Sequence, residues 1–116
     1  MSDTKRPPYI CVQQLHEHQE TPAKGTLSQS LYADEQAKIV LFTFAAGEEL
    51  SEHTASMPAV MHFIRGSGQV TVAEDVIDVQ PGTWVHMQPH CRHSVRAKEP
   101  LVMLLTLFKT AATAEK

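Results

Sequence analysis

Seven histidines are the side chains best suited to chemistry in this sequence: His16, His18, His53, His62, His86, His90 and His93. Imidazole is a common metal ligand and a general acid or base near neutral pH. Cys91 stands between His90 and His93 and is a soft ligand, a reactive thiol or an inert buried side chain. The sequence has no Ser/His/Asp order, glycine-rich phosphate loop or CxxC pair. The position of each histidine in the fold therefore decides what the chain can do.

The elements that position these histidines are short apolar runs separated by glycine and proline. The runs are Lys38–Phe44, Val60–Ile64, Gln69–Val72, Val76–Val79, Trp84–Met87, His93–Ala97 and Leu101–Phe108. Many short strands at close spacing, with no long segment of helical period, predict a β-sandwich or barrel. Side chains alternate between the two faces of a strand, so His62 and His86, each between inward apolar neighbours, are expected to face outward or into a dimer interface.

Length and composition limit the classes of function. A chain of 116 residues forms one domain with one core. Its formal net charge of −3 offers no basic surface for nucleic acid, and no apolar stretch approaches the roughly 20 residues that cross a bilayer. The N-terminus lacks the apolar region of a signal peptide, and Cys11 and Cys91 lie far apart in sequence. We therefore expect a cytoplasmic protein with reduced thiols and no nucleic-acid or membrane partner.

The chain divides into an arm, a barrel and a tail. Prolines and Gly25 interrupt residues 1–25, which are expected to form an irregular N-terminal arm, either disordered or laid across a partner. His16 and His18 in this arm are a metal-binding pair or solvated surface. Residues 26–110 are expected to form the barrel domain. Residues 111–116 are a tail that frays or forms one helical turn.

Two of the predicted strands are apolar on both faces. Lys38–Phe44 and Leu101–Phe108 carry apolar side chains at nearly every position. A strand of an antiparallel barrel normally has one wet face, so the outer face of these strands is expected to be covered. A second copy of the chain is the simplest cover, which predicts a homodimer.

The region Gly47–His93 resembles the cupin family of small jelly-roll barrels. The first motif of that family reads G-x5-H-x-H-x3-4-E-x6-G, and here Gly47 is followed after five residues by His53, with Gly66 at the closing glycine. The second motif, P-x-G-x-x-H-x3-N, is matched loosely by the segment 88–93. Short single-domain cupins are similar over roughly residues 27–109. The resemblance implies an all-β fold, the cupin jelly-roll β-barrel.

Several motif positions depart from the family pattern. Metal-binding cupins take two histidines and a glutamate from the first motif and one histidine from the second. In this chain Ala55 stands at the second histidine position and Ala59 at the glutamate position. The resemblance therefore leaves only His53 and His93 as ligand positions. The asparagine position of the second motif is Ala97.

The family geometry implies a pocket inside the barrel. His53 and His93 would stand at one mouth of this pocket, and its lining would be mostly apolar, as in many small-molecule sites. The expected lining residues are Ala55, Ala59, Met61, Phe63, Val85, Met87 and Val95.

The sequence leaves three functions open. The first is a module that binds a small organic ligand oriented by His53 and His93. The second is a metal-dependent enzyme of the dioxygenase or isomerase type. The third is a metal-free enzyme in which one histidine is the general acid or base. The fold alone does not choose among them.

The cofactor is also left open between one divalent transition metal (Zn, Fe, Ni or Mn) and none. Catalytic Zn²⁺ usually takes three protein ligands, and iron oxygenases use two histidines and a carboxylate. His53 and His93 are one ligand short of either set. His90 would supply a third nitrogen, or Glu49 or Glu52 a carboxylate. Without metal, the two histidines would hydrogen-bond each other, a water or an organic ligand.

Overall fold

The computed structural model describes residues 8–109, and these form nine strands and one short 3-10 helix, Leu15–Glu17. The strands are β1 (Thr26–Ala33), β2 (Ala37–Phe44), β3 (Glu49–His53), β4 (Ala59–Arg65), β5 (Gly68–Val72), β6 (Asp75–Val79), β7 (Trp84–Met87), β8 (His93–Ala97) and β9 (Leu101–Phe108). All seven predicted strands are present, with ends shifted by at most one residue. The prediction missed β1 and β3.

The strands form two antiparallel sheets, ordered β1-β2-β9-β4-β7 and β3-β8-β5-β6. Most neighbours within a sheet are distant in sequence, because the chain crosses repeatedly between the sheets. This arrangement is a jelly roll, and the predicted fold class is confirmed. The missed strands β1 and β3 both lie at sheet edges and are mostly exposed, so they lack the apolar alternation that reveals a strand in a sequence.

The strand register defines two ends of the barrel. His93 pairs with Val72 at one end of the β5–β8 ladder, and Ala97 pairs with Gly68 at the other. We call these the histidine end and the closed end. The loops 54–58 and 88–92 also lie at the histidine end, because they follow the last residues of β3 and β7.

The interior is sealed at the closed end and becomes accessible toward the histidine end. Along β9 the inward residues Leu101 and Met103 are at most 1% exposed, whereas Leu105 and Leu107 are only partly buried. Along β5, Val70 is fully buried and Val72 only partly. The histidine end is therefore the mouth of the barrel.

The outer face of the larger sheet is partly covered by the chain's own N-terminal arm. Leu41 and Thr43 lie on this face of β2 and are nearly inaccessible to solvent. The Thr43 hydroxyl donates a hydrogen bond to Gln19 Oε1 (2.6 Å), and Arg65 donates to the carbonyl oxygen of His16 (3.2 Å). In this structure His16 and Gln19 thus contact the chain's own sheet, and whether the arm also reaches a partner stays a prediction. The expectations for residues 1–7 and for the tail 111–116 lie outside the described residues.

Part of the same face stays uncovered. Trp84 and Phe108 are 61% and 41% exposed, and the Trp84 ring stacks on His86 with centroids 6.3 Å apart and planes 17° from parallel.

No helix within residues 8–109 is long and apolar enough to span a membrane.

Candidate functional site

His53 and His93 meet at the mouth of the barrel. They are directly opposite each other in the antiparallel pair β3–β8, so their side chains lie on the same face. The ring centroids are 4.1 Å apart and the ring planes are inclined by 60°. The structure thus brings together two residues that are 40 positions apart in the sequence.

Each imidazole is oriented by a backbone carbonyl two residues before it. His53 Nδ1 lies 2.8 Å from the Ser51 oxygen, and His93 Nδ1 lies 2.9 Å from the Cys91 oxygen. A carbonyl oxygen only accepts hydrogen bonds, so Nδ1 must carry the hydrogen in both rings. In a neutral ring the other nitrogen then holds the lone pair. Both Nε2 atoms are therefore the atoms able to accept a hydrogen bond or ligate a metal.

The two imidazoles differ in their surroundings. His93 is 5% exposed, whereas His53 is exposed. Burial lowers the pKa of His93 below its ordinary value of 6.5, the hydrogen bond to the Cys91 carbonyl partly opposes this, and the nearby His53 lowers it further. Burial therefore favours the neutral form of His93, in which Nε2 keeps its lone pair.

Apolar side chains surround the pair. The predicted lining residues Ala59, Met61, Phe63, Met87 and Val95 are buried in one core cluster, and Val85 packs against that cluster half-buried. Ala55 lies in the 54–58 loop, where its carbonyl oxygen accepts a hydrogen bond from the His90 amide (2.7 Å). The buried members fill the barrel interior by packing together.

Cys91, Val72 and Leu107 border the mouth. Each is partly buried against the core cluster, Val72 as the register partner of His93 and Leu107 as the partner of Ala59. Cys91 precedes His93 by two residues, and its thiol contacts the Arg92 carbonyl oxygen at 3.6 Å.

His90 lies apart from the pair, in a turn closed by a hydrogen bond from the Cys91 amide to the Gln88 carbonyl (3.2 Å). Its φ of +68° is typical of the third residue of a type II turn with proline second, a position that favours glycine or asparagine. Among residues 8–109 no three His, Cys, Asp or Glu side chains are grouped closely enough to share an ion. The predicted metal set of His53, His93 and His90 is therefore not assembled in this structure.

The two carboxylates predicted as alternative ligands face arginines of the 88–97 segment instead. Glu49 forms an ion pair with Arg96 (3.1 Å), and Glu52 lies 4.0 Å from Arg92. Both pairs are exposed, and neither carboxylate joins the histidines.

The remaining histidines lie elsewhere. His62 and His86 pair across β4 and β7 with residues of the outer face, and His86 is exposed. His16 is exposed in the arm, 3.6 Å from the carboxylate of Glu17. Sequence reasoning missed the carbonyl groups of Ser51 and Cys91 that fix the two imidazoles, because every residue has a carbonyl and only the fold selects these two.

Two surface cavities lie away from the histidine pair. One, of about 640 Å³, opens at the closed end of the smaller sheet and is lined by Ser67, Gly68, Gln69, Asp78, Val79, Gln80, Arg96 and Lys98. The other, of about 600 Å³, is a shallow depression on the arm between residues 11 and 18.

Comparison with known proteins agrees with the fold. Residues 40–107 match the family model of the cupin domain. A cupin superfamily protein from Desulfitobacterium hafniense is similar in structure (TM-score 0.80, 24% identity, 89% of this chain and 94% of that chain). A conserved protein of unknown function from Streptococcus pyogenes has a TM-score of 0.79 at 23% identity, over 91% of this chain and 93% of that chain.

A putative mannose-6-phosphate isomerase from Ralstonia eutropha is also similar (TM-score 0.75, 21% identity, 87% of this chain and 100% of that chain). No curated protein matches the chain. At these identities the solved structures support the fold and leave the activity open.

Proposed function

Because the chain belongs to the cupin domain family, we propose that its site is the mouth of the barrel, where it binds a small organic molecule oriented by His53 and His93. The observation that carries this proposal is the convergence of the two imidazoles, 4.1 Å apart, at the end where the apolar interior becomes accessible. A few fixed polar atoms in an apolar setting are typical of small-molecule sites.

The packing of the interior favours a ligand that sits at the mouth. Met61, Phe63 and Val95 are at most 2% exposed and occupy the centre of the barrel. The partly buried Val72 and Leu107 border the entrance and offer apolar contact. Such a ligand would place its polar group against the imidazoles and its apolar part against these side chains.

A metal-dependent reaction, of the dioxygenase or isomerase type, is the second candidate. The two Nε2 atoms are suitable ligands, since both rings are fixed through Nδ1 as ligating histidines usually are. The described residues supply only these two, which does not fit the three-ligand sets of zinc or iron enzymes. We therefore derive no reaction step through a metal. Elemental analysis of the untagged protein tests this candidate, because one equivalent of metal per chain would favour it.

We also propose that the chain is a homodimer in a reducing cytoplasm. The uncovered Trp84 and Phe108 on the outer face of the larger sheet support a second copy there. Cys11 and Cys91 are both free thiols, as expected in a reducing compartment.

A fragment screen by ligand-observed NMR tests the proposed site. Small cyclic alcohols, phenols and carboxylic acids should include binders at millimolar concentration. Their binding should be lost in the His53→Ala/His93→Ala double variant. His86→Ala is the matched control, because His86 is exposed on the outer face. Full retention of binding by the double variant would place the site elsewhere.

A further inference from the structure

The mouth of the barrel has a definite hydrogen-bonding polarity. Both imidazoles donate their Nδ1 hydrogens to backbone carbonyls, at 2.8 Å for His53 and 2.9 Å for His93. Moving the hydrogen from Nδ1 to Nε2 of either ring would place the Nδ1 lone pair against a carbonyl oxygen, so these contacts favour hydrogen on Nδ1. When both rings are neutral, the two groups left for a ligand are both acceptors.

We infer that the ligand presents a hydrogen-bond donor, as a phenol or alcohol does, to the Nε2 atom of His53 or of His93. This inference rests on the proposed function and specifies the ligand class. An ionised carboxylate or phosphate ester carries mainly acceptor atoms, so it would face the Nε2 lone pairs without a shared hydrogen. The ring centroids are close enough for one small molecule to reach both rings.

Charged side chains near the mouth do not reverse this polarity. Arg92 is paired with Glu52, and Arg96 with Glu49, so these cations are already matched by carboxylates. Lys38 pairs with Leu107 in the β2–β9 ladder and therefore stands on the inner face of the sheet near the mouth. Its ammonium group is the one that would favour an anion, which makes Lys38 a necessary control.

The test compares two probes of matched shape, p-cresol and 4-methylbenzoate, in titrations at pH 8 followed by NMR. The phenol donates a hydrogen bond, whereas the carboxylate only accepts. We expect p-cresol to bind at least about tenfold more tightly than 4-methylbenzoate. The carboxylate oxygens and the Nε2 atoms are all acceptors, so the complex with 4-methylbenzoate lacks the hydrogen bond that the phenol forms. The His53→Ala/His93→Ala double variant should remove most of this preference. His86→Ala should leave it unchanged, and Lys38→Met should leave it at least as large, because that variant removes only a cation that attracts the carboxylate.

A ¹⁵N spectrum of the imidazoles supplies a readout that needs no ligand. Both rings should carry hydrogen on Nδ1 and a lone pair on Nε2. A lone pair on Nδ1 of either ring, or equal or tighter binding of 4-methylbenzoate, would overturn the inference. Failure of both probes to bind at millimolar concentration would instead count against the proposed function itself.

Discussion

Replacing Gly66 with alanine should destabilise the closed end of the barrel by about 2–4 kcal/mol. Gly66 has φ +88°, which costs a residue with a Cβ about 1–2 kcal/mol. A Cβ at this position would also overlap the carbonyl oxygen of Pro100 and crowd Leu101. Overpacking of this kind typically costs about 1–3 kcal/mol. The smaller conformational entropy of unfolded alanine offsets about 0.4–1 kcal/mol of the total.

Gly47→Ala is the matched control for this prediction. Gly47 has a similar φ of +83°, but a Cβ there would meet no atom within 4 Å. Its replacement should cost only the conformational part, about 1 kcal/mol after the entropy offset. Thermal unfolding followed by circular dichroism should show a Tm loss of about 4–8 °C for Gly47→Ala and at least twice that for Gly66→Ala. Equal losses would refute the argument that the contact with Pro100 requires a glycine.

Three further predictions follow from the burial and contacts of particular groups. His93 binds a proton more readily in the unfolded chain than in the fold, so the free energy of unfolding should fall as pH drops below about 6.5. The contribution of this group has a slope of at most about 1.4 kcal/mol per pH unit. His93→Gln should flatten that slope in urea titrations from pH 8 to 5. Deleting residues 1–8 should leave Tm almost unchanged, whereas deleting residues 1–19 should lower it by several degrees, because Gln19 contacts Thr43 and the His16 carbonyl accepts from Arg65; equal Tm values would contradict this. Light scattering should give twice the chain mass of 12.9 kDa, with Trp84→Glu shifting it toward the monomer, and a monomeric native chain would exclude the dimer.

The sequence predicts the core strands well because burial leaves a pattern in residue type. The runs from Lys38 to Phe44 and from Leu101 to Phe108 carry apolar side chains that the fold needs inside. The edge strand Thr26–Ala33 is mostly exposed and its alternation is correspondingly weak. Hairpin pairing with β2 across residues 34–36 defines this strand, and that pairing uses backbone groups that every residue carries.

The candidate site was predictable in part, for a similar reason. The spacing of His53 after Gly47 and the position of His93 mark both imidazoles through the family motifs, and the register then brings them together. Their tautomers depend on the backbone carbonyl groups of Ser51 and Cys91. These contacts cannot be predicted from residue type, because every residue has a carbonyl group. The docking of the arm through Gln19 is likewise a long-range contact that follows only from the folded structure.

A crystal structure of the chain grown with p-cresol tests the central claim most directly. We predict electron density for the phenol between His53 and His93, with its oxygen within about 3.2 Å of an Nε2 atom and its ring against Val72 and Leu107. Density for the phenol in the cavity lined by Ser67 and Lys98, with nothing bound at the histidine pair, would contradict the account.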